Sequence, residues 1–178
     1  MSEDKKDILT PLRKDKKVKK FNKMIEEGIY CLDTTSMLED LDRMHTTKKI
    51  RLLKKGDVIH HAQDNIVEAI VQNSAYRSSV MEIKMKCYRV HEELQNHYDV
   101  LADYLKTEYR SILASHFRTN DERNSAIAVV LKKANYYLQQ LEITQEVADM
   151  TINDIDQGNW SIKNLIEVLT LATKPENV

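Results

Sequence analysis

Glycine and proline are nearly missing from this sequence: three and two residues in 178. Average usage at this length would give roughly 12 and 9. β-Sandwiches and barrels spend turn residues at every reversal, and glycine-rich phosphate loops need clustered glycines. Gly28, Gly56 and Gly158 lie far apart, so these classes and the open α/β enzymes are disfavoured. Cysteine is scarce too. Cys31 and Cys87 form no CxxC pair and are too few for a disulfide framework or a thiolate zinc site. They read as small buried thiols in a reducing compartment. Long apolar runs are also absent. No stretch approaches the roughly 18 residues a membrane span needs, and the opening MSEDKKDILT is polar, unlike a signal peptide. The expectation is an intracellular, cytoplasmic protein with no membrane partner.

What remains is 42% hydrophobic, 31% charged and 6% aromatic residues, the composition of long helices separated by few turns. The formal net charge is only −1, but its distribution is uneven. Residues 1–60 hold 15 Lys+Arg against 11 Asp+Glu, a balance of +4, and residues 61–178 hold 12 against 17, a balance of −5. The densest basic stretch is RKDKKVKKFNK, residues 13–23, with Lys16, Lys17, Lys19 and Lys20; a second is KKIRLLKK, residues 48–55. Such clusters suit contact with a polyanion, and equally a solvated helix face.

Thr10-Pro11 reads as a helix start, with a broken apolar stripe through Leu12, Val18, Phe21, Ile25 and Ile29. Gly28 would end this helix. Ser36-Met37-Leu38-Glu39 has the capping-box form, Lys55-Gly56-Asp57 reads as a turn, and Asp64 as a further helix cap. From Val80 to about Phe117 there is neither glycine nor proline. Met81, Met85, Tyr88, His91, Leu94, Tyr98, Leu101, Leu105 and Ile112 make a heptad-like seam there. Thr119-Asn120-Asp121 is a polar turn with capping residues. A returning helix follows through Ile127, Leu131, Ala134, Leu138, Leu141, Ala148, Ile152 and Ile155, interrupted by Thr144 and Gln145 and ended by Gly158. The architecture expected is all-α: a long antiparallel helical hairpin with short flanking helices, oligomeric because its seams leave apolar surface uncovered. Residues 1–55 read as a basic extension with one or two short helices, and residues 56–178 as the hairpin domain. A short last helix carries Trp160, Ile162, Leu165, Ile166 and Leu169, which read as the oligomerisation face.

Catalytic patterns fail on geometry. His91 and His97 are six apart rather than the i, i+4 of a zinc helix, and no set of Glu-x-x-His pairs exists for a di-iron bundle. His60-His61, Asp40/Asp42 and Asp154/Asp156 look like ordinary helix surface or helix ends. The expectation is no enzyme, no cofactor and no metal. One pattern favours a ligand. Tyr88, Tyr98, Tyr104 and Tyr109 are interleaved with Lys84, Lys86, Arg89, Lys106 and Arg110, with Arg77 upstream. Rings that stack bases beside cations that meet phosphates are the ingredients of single-strand binding. The plainer reading makes the Tyr and Met residues core fillers.

The stretch from KKGDVIHHAQDNIVEAIVQNSAYRSSVMEIKMKCYRVHEEL to GNWSIKNLIEVLTLA, about Lys54 to Thr173, resembles the UvsY family of phage recombination mediators. The closing Gly158, Trp160, Ile162 and Lys163 follow that family's Gly-aromatic-x-Ile-Lys ending, with Asn159 interposed. The resemblance implies a ring-like homo-oligomer that binds single-stranded DNA. It also implies partners: a RecA-like recombinase, loaded in place of the single-strand-binding protein, in the host cytoplasm if phage-encoded. One departure matters. Where the family carries a Lys-x-Arg pair, this chain has Asp99-Val100-Leu101-Ala102-Asp103-Tyr104. The DNA contact then falls to Lys84, Lys86 and Arg89, or to the basic N-terminal segment. The rival reading is a scaffolding coiled coil that binds only protein.

Overall fold

The computed structural model describes residues 8–30, 32–47 and 59–172. Every regular element among them is an α-helix: α1 (Thr10–Lys14), α2 (Lys16–Glu26), α3 (Thr34–Thr47), α4 (Ile59–Glu108), α5 (Arg110–His116), α6 (Asn120–Val130) and α7 (Lys132–Ala172). None is long and apolar enough to cross a membrane. The all-α expectation and the pairing of one long helix with another therefore hold. The expected turn at Lys55-Gly56-Asp57, the KKIRLLKK cluster up to its last lysine and Cys31 lie outside the described residues.

The helix boundaries differ from the expectation in instructive ways. Thr10 is already helical and Leu9 precedes it without a side-chain cap. The first helix then breaks at Asp15, whose extended backbone (φ −55°, ψ 138°) starts α2. Ser36 lies inside α3, so its S-x-x-E sequence does not open a helix. α4 begins well before Val80 and passes both Asn73-Ser74 and Ser78-Ser79 without a break. There the Ser78 and Ser79 hydroxyls fold back onto the carbonyls of Ser74 (3.0 Å) and Ala75 (3.2 Å), which satisfies them within the helix. Asp64 is likewise helix interior rather than a cap. The expected run to Phe117 is cut at Tyr109, and Leu131 separates α6 from α7. Gly158 does not end the returning helix, because α7 runs through it to Ala172. Gly28 does end α2's path, with φ 78°, the one positive φ found among the described residues. At the polar turn, Thr119 and Glu122 close a reciprocal capping box on α6.

The chain forms two compact units, each built from two separate stretches. The first is Met1–Asp33 with Lys86–Ile143; the second is Thr34–Met85 with Thr144–Val178. In the second unit Leu41 of α3, Val80 of α4, and Ala148, Ile152 and Ile155 of α7 form one core, with Leu38, Met44, Tyr76, Ile83 and Val147 packed on it. Polar pairs fix the register of α4 on α7 in that unit. Asn73 donates to Asn159 (2.9 Å), Arg77 forks onto Asp156 (2.9 and 3.3 Å), and Lys84 meets Asp149 (2.6 Å). Seven residues forward on α4, from Arg77 to Lys84, match seven back on α7, from Asp156 to Asp149, which is antiparallel pairing with a heptad step. His45 of α3 joins Asp154 at 2.6 Å. In the first unit α4 and α7 are paired by His91 and Glu142 (3.3 Å), so His91 is a half-buried structural imidazole.

The seam itself corrects the expectation. Buried positions on α4 recur in sevens at Ile66, Asn73, Val80, Cys87, Leu94 and Leu101. Met81, Met85 and Tyr88, expected inside, are exposed. α7 answers with Ala134, Leu141, Ala148, Ile155 and Ile162, and Thr144 is fully buried in line rather than interrupting. Small or polar residues occupy much of this seam, so large side chains beside it are pushed to the outside.

Candidate nucleic-acid interface

The lysine-rich N-terminal segment is helical because Asp15 makes it so. The Asp15 carboxylate accepts from the amides of Lys17 (2.7 Å) and Val18 (3.4 Å), capping α2. The same carboxylate accepts from the hydroxyls of Tyr109 (2.9 Å) and Tyr104 (3.2 Å), which ties the start of α2 to the end of α4. Burial pushes the Asp15 carboxyl up, but the Tyr109 hydroxyl, the two amides and the Tyr104 hydroxyl outweigh it, and the group sits below its ordinary value. Reciprocally, burial and then the bond to Asp15 push the Tyr109 hydroxyl up to about 12. Val18 and Phe21 are the buried residues of α2, which leaves its lysines outside.

The far end of α2 is tied as well. After Gly28 the chain turns, and Tyr30 is buried with its hydroxyl bonded to His97 Nδ1 and its ring edge-on to the imidazole at 5.7 Å. The Tyr137 hydroxyl donates to the Tyr30 carbonyl (2.7 Å) and accepts from the Leu32 amide (2.5 Å). Lys133 pairs with Glu26. Burial, then the nearby Glu93 charge, raises the Tyr30 hydroxyl.

Between these anchors α2 and α4 enclose an open groove of about 300 Å³. Phe21, Met24, Val100 and Leu101 give it an apolar floor, Tyr104 and His97 supply rings, and Lys17 and Lys20 supply positive charge. Among the described residues no carboxylate lines it. Lys17 Nζ lies 3.6 Å from the centroid of the Tyr104 ring, a cation–π contact. The acidic-apolar stretch 99–104, unpromising as a DNA contact by itself, thus contributes a floor and a ring to a groove whose cations come from α2.

The other candidate cations divide. Lys16 and Lys19 are exposed on α2 and do not line the groove. Arg77 and Lys84 are ion-paired to α7, and the bond to Asp156 raises the Arg77 guanidinium further. Lys86 and Arg89 are exposed on α4. Lys106 pairs loosely with Asp103 (3.2 Å) and, with Arg110, borders a second cavity. Of the expected oligomerisation residues, Ile162 is buried within its own unit, Leu165 is half-buried, Ile166 is exposed and Trp160 is 66% exposed. The Leu169 side chain lies outside the described set. Sequence reading missed Asp15, Phe21, Met24 and His97 as members of the site; an Asp directly ahead of a lysine-rich helix was the available signal for the first.

No protein-family model, no curated protein and no solved structure matches the chain.

Proposed function

We propose that this protein binds single-stranded DNA as a homo-oligomer, and that it acts as a recombination mediator that helps load a RecA-like recombinase in place of the single-strand-binding protein. The observation that carries the binding reading is the groove between α2 and α4, which joins Lys17 and Lys20 to Tyr104, His97 and an apolar floor, with no acid among its described lining residues. An unpaired base stacking on Tyr104 displaces Lys17 from the ring, and the freed ammonium meets the adjoining phosphate. Duplex DNA offers no free base face, so the groove discriminates by stacking rather than by reading sequence. The mediator role rests on the resemblance to the UvsY family. Exposed Met150, Trp160, Val168 and Leu171 on α7 support self-association, which multiplies weak contacts along one strand.

One observation favours the rival scaffold reading: Arg77 and Lys84 spend their charge on α7. Fluorescence anisotropy with labelled oligo-dT across a salt series separates the two. The binding reading expects log affinity to fall with log salt by about 0.7 per phosphate neutralised, and the Lys17→Ala/Lys20→Ala variant to lose slope and at least tenfold in affinity. A flat slope, or no difference between that variant and the parent, overturns it in favour of the scaffold.

A further inference from the structure

The second cavity lies at the turn between α5 and α6, encloses about 400 Å³, and is lined by Lys106, Arg110, Leu113, Asn120, Arg123 and Asn124. Three of the six are cations, two are amides, and none is an acid. Arg123 is held in place by the turn itself: Nε donates to the Phe117 carbonyl (3.1 Å), Nη1 to Asn120 Oδ1 (3.3 Å) and Nη2 to the Arg118 carbonyl (3.5 Å). That uses three of its five N–H donors and leaves two, on a side chain with little rotamer freedom left to lose. Lys106 has only the exposed Asp103 contact, which exchanges cheaply for a stronger anion. Arg110 is exposed at the first position of α5. Leu113, fully buried, closes the floor. The nearby acids Asp121 and Glu122 line a different cavity, with Leu9, His116, Phe117, Ser125 and Val129.

We infer that this cavity binds a phosphate monoester. A monoester carries about −1.5 to −2 charges at neutral pH against −1 for a phosphodiester, and three converging cations match the larger charge. The volume falls in the range of about 300–1,000 Å³ typical of small-molecule sites, which leaves room for the group that bears the phosphate. Lys106 is two residues beyond Tyr104, about 200° further round α4, so this site faces away from the α2–α4 groove and stands whether or not that groove takes a strand. Two sources share the chemistry: a free mononucleotide and the phosphorylated end of a strand.

Isothermal titration of the full chain tests the inference with four ligands: 5′-phosphorylated oligo-dT, the same oligonucleotide with a 5′-hydroxyl, thymidine monophosphate, and thymidine. The expected result at pH 7.5 is a phosphate advantage of at least tenfold in one or both pairs. It is lost in Arg110→Ala, retained in part by Arg110→Lys, and reduced below about pH 6 as the monoester dianion takes up a proton. An advantage in the oligonucleotide pair identifies a strand end as the source; one confined to the nucleotide pair identifies a free nucleotide. Equal binding with and without phosphate in both pairs overturns the inference, as does a full advantage in Arg110→Ala with unchanged helical circular dichroism. If the 5′-hydroxyl oligonucleotide fails to bind at all, the single-strand reading fails, and the nucleotide pair still decides this one.

Discussion

Replacing Asp15 by alanine tests whether a single carboxylate holds the lysine helix against α4. Four bonds of two kinds go at once: the cap on the Lys17 and Val18 amides and the hydroxyl bonds from Tyr104 and Tyr109. Loss of an N-cap costs about 1 kcal/mol. A hydrogen bond to a charged group contributes about 1.5–3 kcal/mol, but Asp15 is only half-buried and all four donors share it, so the two hydroxyls together add about 1 kcal/mol. The total of about 2 kcal/mol corresponds to a roughly 30-fold loss of protection. It should appear in native-state hydrogen exchange at the α2 amides, because that helix opens locally once untied. Asp15→Asn, which keeps a capping oxygen and loses the charge, should fall between.

The pH dependence has a fixed sign. The folded carboxyl sits below its ordinary value of 3.8, so its stabilisation is complete above that value and drains away as pH falls through the lower folded value. Asp15→Ala and the parent should therefore differ fully at pH 7 and converge in strong acid. Unchanged α2 protection at pH 7 in the variant would refute the anchoring of α2 through Asp15.

Three further outcomes follow from the two units. Gly158→Ala should raise stability by about 1 kcal/mol in urea unfolding, because the glycine is helical and an added Cβ would meet only Asn73 Nδ2 at 3.8 Å; a loss would mean that the helix does not pass through it. Leu41→Ala, at a fully buried position in the core of the second unit, should cost about 3 kcal/mol by the same assay. In a Cys31→Ser background the Cys87 thiol, fully buried and pushed up by that burial, should react with a thiol reagent at least 100-fold more slowly than in urea-unfolded chain.

Composition made the all-α class legible, because two prolines and three glycines cannot supply the turns of anything else. Long-helix pairing was legible from spacing, and the exact seam was not. The stripe through Met81, Met85 and Tyr88 followed side-chain size. The real one uses Asn73, Val80 and Cys87, one of them polar and satisfied only by Asn159 on the returning helix. Gly158 shows the same limit. Glycine in a helix costs about 1 kcal/mol, which is decisive for an isolated segment, and packing of Ile155 and Ile162 on either side outweighs it here.

Which cations of α4 the returning helix neutralises follows from this pairing. Read along α4 alone, Arg77 and Lys84 are two steps of a basic stripe. Read against α7 in reverse order, Asp156 and Asp149 stand at the same sevenfold spacing and neutralise them. A charge on a paired helix is available to a ligand only if the returning helix carries no acid at the matching place. The lysines of α2 meet that condition differently, because the acid nearest them in sequence, Asp15, is already committed to two amides and two tyrosine hydroxyls. Lys17 therefore rests on a ring rather than on a carboxylate. Exchanging a cation–π contact of about 0.5–1 kcal/mol for a phosphate costs less than breaking a forked ion pair. That difference makes the groove, rather than the longer basic stripe, the better candidate for a polyanion.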